Sequence, residues 1–302
     1  MAQQTPLAED IRVADVLSGK SGGDENFPVA SALIAPRHRP AILGFYRFVR
    51  AADDIADHAT LPPAVKHALL DRLEAGLLGT GPDESEATPL RRALAERGME
   101  PRHALDMLVA FRRDVDKAQT FDWADLLDYC RYSAAPVGRF VLDLHGESEA
   151  LWPANDALCT ALQIINHMQD CARDYRDMQR IYLPLDLMQQ HGVVAEDLAR
   201  GSLTPGLRAV LDRVIDGTHD LLKVSATFAP GIADLRLALE VGVIQRVAET
   251  LTPMLAAQDP LATRVALGKA GYARAALSGV LSTAIGRLLG GKRLPAPQEP
   301  MR

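Results

Sequence analysis

Apolar side chains that return every third or fourth residue, almost from one end of the chain to the other, leave this sequence few folds to choose from. Between Pro40 and His58, the residues Phe45, Phe48, Val49, Ala52, Ile55 and Ala56 recur at helical spacing before Leu61-Pro62-Pro63 breaks the run. The same period predicts helices over 63–78, 88–97, 101–117, 122–145, 153–176, 194–200, 205–226, 230–257 and 262–289. Aromatic residues make up only 5% of the chain and β-branched runs are few, so an all-α fold is expected. With 302 residues a sizeable core can form, and no break in composition divides it. One large domain is therefore expected over 26–289, after a polar, extended lead-in at 1–25 and before a flexible Pro- and Gly-rich tail at 290–302. The segment 79–89, with Asp83, Glu84, Ser85 and Glu86, reads as an exposed loop.

Charge narrows the partners. Lys and Arg number 33 against 39 Asp and Glu, a formal charge of -6, so there is no basic footprint for nucleic acid. An anionic ligand would need metal ions or local arginines. Cys130, Cys159 and Cys171 lie within helical patterns without metal-ligand spacing, which suits small core residues of a reduced, cytoplasmic protein. MAQQTPLAEDIR lacks an apolar signal core, and no stretch approaches the roughly 20 apolar residues that span a bilayer, so no integral anchor is expected.

Two helices carry candidate chemistry. Residues four apart on a helix stand one above the other, roughly 6 Å along the axis, so Asp53 and Asp57 project together. Arg50 and Tyr46 fall on that side, whereas Phe45, Phe48, Val49 and Ile55 occupy the other. In ALQIINHMQDCARDY, Gln163, Asn166, Asp170 and Asp174 form a second polar stripe, opposite Leu158, Ala161, Leu162, Ile165, Met168 and Ala172. Either acidic pair alone reads better as an ordinary solvated face. Like charges four apart cost a helix a few tenths of a kcal/mol, with few basic residues on these stripes to offset it, and a divalent cation would reverse the penalty. Mg²⁺ typically joins one or two carboxylates to substrate phosphates, which suits these four aspartates arranged across a cleft and implies a diphosphate ligand. Asp54, Asp177, His58 and His167 sit beside the stripes by helical angle and suggest solvated or supporting roles. Asp114 and Asp116 alternate with Arg112, Arg113 and Lys117 as on a charged face and receive no role.

FYRFVRAADDIADH, YCRYSAAPVGR and LQIINHMQDCARDYRDMQRIYLP, in that order, resemble the signature segments of the squalene/phytoene synthase family over about residues 26–185. The resemblance implies a single bundle of mostly antiparallel helices, the isoprenoid synthase fold, around a central apolar cavity. It implies that Asp53, Asp57, Asp170 and Asp174 hold Mg²⁺ against a prenyl diphosphate and that Asn166 and Gln163 complete the polar wall. Arg50 and Arg180 would contact phosphate oxygens, with Tyr182 beside them on the substrate. Tyr129 matches a family tyrosine facing the carbocation intermediates, its alternative being a core tyrosine with a satisfied hydroxyl. Tyr132, Pro136 and Phe140 share its predicted helical side and read as packing. Ser31, in ENFPVAS with Asn26 and Phe27, falls where relatives place small polar groups near a diphosphate, and equally where a helix cap would stand.

Many family members read Val-Ala-Gly where this chain has Ser133-Ala134-Ala135-Pro136, which points away from head-to-head condensation. The motifs look instead like the hopanoid-pathway branch, in which presqualene diphosphate loses diphosphate and water captures the rearranged cation to give hydroxysqualene. Condensation of two prenyl diphosphates is the alternative within the family, and a non-catalytic helical assembly factor the alternative outside it. A hydrocarbon-like product implies transient peripheral contact with the inner membrane and coupling to other squalene-pathway enzymes. GYARAALSGVLSTAIGRLLGG near the C-terminus could supply that contact, although packing against the bundle is the ordinary use of such a helix.

Overall fold

A computed structural model of the chain describes residues 11–18, 34–117 and 119–288. Ser31, Asn26, Phe27 and the 290–302 tail lie outside the described residues. The chain divides into two compact units, Met1–Ala118 and Gln119–Arg302. Among the described residues both are helical, the one extended pairing being an isolated bridge between Gln119 and Ile181.

The first unit contains α1 (Arg39–Asp57), α2 (Pro63–Leu78), α3 (Thr88–Ala95) and α4 (Arg102–Asp116). Proline opens each of α1 to α3 within the first two positions, where its missing N–H removes no helical bond. On α1, Ala41, Phe45, Phe48, Ala52 and Ile55 are buried, and each large side chain so placed contributes about 1.5–3 kcal/mol. The lead-in is not uniformly extended: Val13–Val16 forms a short 3₁₀ turn with Val13 fully buried. Glu84, expected on an exposed loop, is buried. Arg72 donates to its Oε1 through Nε (3.1 Å) and Nη2 (2.7 Å) and to the Ile11 carbonyl through Nη1 (2.9 Å).

The second unit runs α5 (Trp123–Ser133), α6 (Ala135–His145), α7 (Trp152–Met178), α8 (Leu185–Gln190), α9 (Pro205–Ser225), α10 (Phe228–Gly231), α11 (Leu235–Ala257) and α12 (Lys269–Leu288). Side chains cap α5, α9 and α11: Asp122 accepts from the Asp125 N–H, Thr204 from Leu207, and Asp234 from Arg236 and Leu237. The helix expected over 122–145 breaks at Ala134, because Pro136 lacks the N–H needed to continue α5 and instead sits near the start of α6. Tyr129 therefore belongs to a different helix from Pro136 and Phe140, and all three are buried. The pattern over 230–257 also divides, with Glu147 Oε atoms accepting the Ala233 and Asp234 N–H groups between α10 and α11 (2.8 Å each). Residues 194–200 hold only a 3₁₀ turn, Ala195–Ala199, and α12 begins at Lys269 rather than 262 because Asp259 Oδ1 accepts from the Leu261 and Ala262 N–H groups in a separate turn.

Helix α12 has an unusual seam. Its buried positions are the small residues Ala275, Gly279 and Thr283, and it packs against α11. A Cβ on Gly279 would lie 2.4 Å from the Gly242 carbonyl oxygen, so the two backbones approach as closely as they do only without side chains there.

Candidate active site

In the first unit the acidic group sits on the last two turns of α1. Arg50 Nη1 lies 2.8 Å from Asp53 Oδ2, and Nη2 lies 2.6 Å from Asp54 Oδ1. Asp54, expected to be solvated or supporting, is buried, and it also accepts the Ser18 backbone N–H at 2.9 Å. It thus fixes Arg50 and ties the lead-in to α1. The acidic stripe is also less naked than its sequence suggested, since Arg50 offsets part of the repulsion. Asp53 and Asp57 are half-buried. Crowded surroundings raise the Asp53 carboxyl to about 8, with the Asp57 charge next and Asp54 and Asp114 adding to it, against the opposing pull of Arg50. Asp114 on α4 is thus felt at the site after all. The signal was present in the packing of α4 on α1, which the spacing of FRRDVDK does not reveal.

In the second unit α7 presents Gln163, Asn166 and Asp170 half-buried and Asp174 buried. Asp170 is paired with Arg173 at 2.5 Å. Past Met178, Gln179 adopts φ 55, the only non-glycine in the left-handed region among the described residues. The Arg180 N–H then donates back to the Asp174 carbonyl (3.1 Å) and Gln179 N–H to Tyr175 (3.0 Å), a reversal that closes the helix. The returning strand is held by Thr120 N–H to Ile181 O (3.0 Å) and Leu185 N–H to Thr120 O (3.1 Å). This return buries Arg180 and lays Tyr182 on His167, ring centroids 3.8 Å apart and 18° from parallel. Tyr129, buried on α5, completes the cluster at 5.3 Å from Tyr182 and 5.9 Å from His167.

His167 was the residue least legible beforehand, because helical angle put it beside the polar stripe. It is buried, its Nε2 stands 3.3 Å from Gln163 Nε2, and burial followed by the Arg180 charge pushes its pKa down to about 3. At neutral pH it is an uncharged aromatic surface. Cys159 and Cys171 are pushed up to about 12, burial being the first cause; all three cysteines are free thiols, Cys130 and Cys171 buried in the core and Cys159 half-buried.

The donor chemistry fits a hard cation. Oxygen-only carboxylate pairs four residues apart suit Mg²⁺, and the mutual repulsion felt by Asp53 is what such an ion relieves. Among the described residues no three His, Cys, Asp or Glu side chains cluster closely enough to form a site by themselves, so phosphate oxygens and water would have to complete the shell.

The chain is helical among the described residues, as an isoprenoid synthase is, and the squalene/phytoene synthase model matches residues 21–271. The chain belongs to the squalene/phytoene synthase family, whose members are isoprenoid synthases. It is 51% identical over 277 residues to the hydroxysqualene synthase of Rhodopseudomonas palustris, covering 92% of this chain and 95% of that one. The hydroxysqualene synthase of Zymomonas mobilis is 50% identical over 86% of this chain and 88% of its own. Among solved structures, squalene synthase HpnC from Alicyclobacillus acidocaldarius superposes with a TM-score of 0.66 at 30% identity, covering 74% of this chain and 85% of that one. A dehydrosqualene synthase bound to a ligand reaches 0.74 at 23% identity over 87% and 93%, a likeness of fold.

Proposed function

We propose that the protein is a hydroxysqualene synthase, converting presqualene diphosphate and water to hydroxysqualene and diphosphate. The observation carrying this reading is identity of about half to hydroxysqualene synthases across nearly the full length of both chains. Asp53 and Asp57, and Asp170 and Asp174, are the residues that would hold Mg²⁺, which when bound neutralises charge on the departing diphosphate. Gln163 and Asn166 orient that group from α7, and Arg50 and Arg180 add positive charge. Ser31 would add a further polar contact to the diphosphate.

Tyr129, Tyr182 and uncharged His167 offer π faces to a cation while keeping bulk water away. Loss of diphosphate leaves a cyclopropylcarbinyl cation, which rearranges; a water oxygen bonds to the resulting carbon and sheds one proton, so no hydride donor is consumed. Residues 26–289 would act as one catalytic domain around an apolar cavity, with 1–25 and 290–302 as its extensions. The enzyme would work in the cytoplasm with peripheral contact at the inner membrane, coupled to other squalene-pathway enzymes. No helix among the described residues is long and apolar enough to cross a membrane.

Purified protein given Mg²⁺ and presqualene diphosphate in ¹⁸O-labelled water should release hydroxysqualene carrying the label. Unlabelled product, or squalene formed only with NADPH, refutes the reading. The condensing alternative draws on more distant relatives, such as the phytoene synthase of Thermus thermophilus at 34% identity over 43% of this chain. Product from farnesyl diphosphate alone would favour it. A scaffold without catalysis predicts that Asp53→Asn and Asp170→Asn leave biological activity intact.

A further inference from the structure

Helix α12 is amphipathic in reverse. An ordinary surface helix turns its large apolar residues inward and its small or polar ones outward. Here the seam against α11 is Ala275, Gly279 and Thr283, while Leu277, Leu281, Ile285 and Leu288 are 52–85% exposed. At 100° per residue those four fall within an arc of about 80°, a continuous stripe rather than scattered residues. The backbone contact explains why they cannot turn inward: Gly279 already meets the Gly242 carbonyl, and Thr283 Oγ1 lies where a Cβ on Gly242 would be, so the seam admits nothing larger. Four large hydrocarbon side chains are left to water along one helix, which is the mark of a surface that meets something apolar.

Charge identifies the partner. Residues 261–298 contain six basic side chains and no acidic one, in a chain whose net charge is -6. Lys269 and Arg274 are exposed on α12, Arg274 within the arc of the stripe. A face that combines large aliphatic residues with local positive charge calls for a partner that is at once apolar and anionic, which a neutral apolar peptide is not. It fits the headgroup and upper acyl region of an anionic bilayer, where leucines insert and lysine and arginine meet phosphate.

We propose that the outer face of α12 is a membrane-docking surface that lies in the plane of an anionic bilayer, with Leu277, Leu281, Ile285 and Leu288 inserted and Lys269 and Arg274 at the phosphates. This deepens, and rests on, the reading of the protein as a handler of long-chain isoprenoids. The surface carries the enzyme to the phase in which such molecules reside.

The test is flotation with phosphatidylcholine vesicles, plain or containing about one-third phosphatidylglycerol. Wild-type protein should float with the anionic vesicles and much less with the plain ones. The double substitution Leu281→Glu/Ile285→Glu should lower partitioning roughly a hundredfold, and Arg274→Glu roughly tenfold on anionic vesicles only. Melting temperature should not change, because these side chains are already exposed, and turnover of detergent-dispersed presqualene diphosphate should stay at the wild-type level. Wild-type protein that floats with neither vesicle overturns the proposal. So does a dimer in sedimentation that the double variant converts to monomer while flotation is unaltered, which would make the stripe a contact between copies. Flotation without turnover of presqualene diphosphate in micelles would overturn the catalytic reading and leave the docking surface standing.

Discussion

Replacing Asp54 by alanine should destabilise the protein by about 2–4 kcal/mol, although this residue belongs to neither expected metal pair. Its side chain is only 5% exposed and accepts one charge-assisted bond from Arg50 at 2.6 Å and one from the Ser18 backbone at 2.9 Å. Losing the first removes about 1.5–3 kcal/mol, and losing the second about 0.5–1.5 kcal/mol. Arg50 keeps Asp53 at 2.8 Å and is itself 19% exposed, which holds the total below the cost of stranding a buried charge outright. Asp54→Asn, which can still accept from Ser18, should lose about half as much. Urea denaturation followed by circular dichroism supplies the numbers, and the cycle with Arg50→Met should return a coupling of about 1.5–3 kcal/mol. A second readout is electrostatic: the Asp54 charge helps raise Asp53 to about 8, so in Asp54→Ala the Mg²⁺-induced rise in melting temperature should persist to lower pH than in wild type. An alanine variant within about 0.5 kcal/mol of wild type, with unchanged pH dependence, would show that Asp54 behaves as a surface carboxylate and that this account of α1 is wrong.

Asp53→Asn and Asp170→Asn should each reduce Mg²⁺-dependent turnover at least about a hundredfold with melting temperature held or raised; unaltered turnover would remove them from the metal set. In wild type, thermal stabilisation by Mg²⁺ should strengthen as pH rises from 6 to 8, because the proton held by Asp53 competes with the ion below its pKa of about 8; a flat profile contradicts that assignment. His167 has a folded-state pKa of about 3 against 6.5 unfolded, so the unfolded chain binds the extra proton and stability contributed by the neutral ring is lost as pH falls through that window. His167→Phe should flatten this acid limb in urea titrations while keeping the stack on Tyr182, and His167→Ala should cost about 2–4 kcal/mol through the cavity it leaves. Gly279→Val should cost at least about 3 kcal/mol, since its Cβ alone would lie 2.4 Å from a backbone oxygen; a smaller loss would mean that α12 shifts freely on α11.

The helices were legible because burial imposes a period of 3.6 residues, and both aspartate stripes were legible because two carboxylates four apart share a face whatever surrounds them. What lies beside a stripe was not. Asp54 and His167 sit at angles that could equally meet water or a neighbour, and only the docking of the Ser18 segment and of the strand after Gln179 decides that both are covered. Glu84 illustrates the same limit, since four acidic and hydroxyl residues in a row look solvated until Arg72 arrives from a helix twelve residues earlier. The break at Ala134 could have been read from Pro136, but proline near a helix start and proline within a helix look alike until the preceding residue's conformation is known.

One backbone angle ties together parts that the chain could have kept apart. Because Gln179 turns left-handed and sends Arg180 back onto the Asp174 carbonyl, the end of α7 and the segment carrying Arg180 and Tyr182 are joined at a fixed pitch with no slack. Adding or deleting a single residue between Asp174 and Tyr182 would swing the phenol ring off the imidazole and draw the guanidinium out of its burial at the same stroke. That stretch of chain can change in composition over time, but it is not free to change in length.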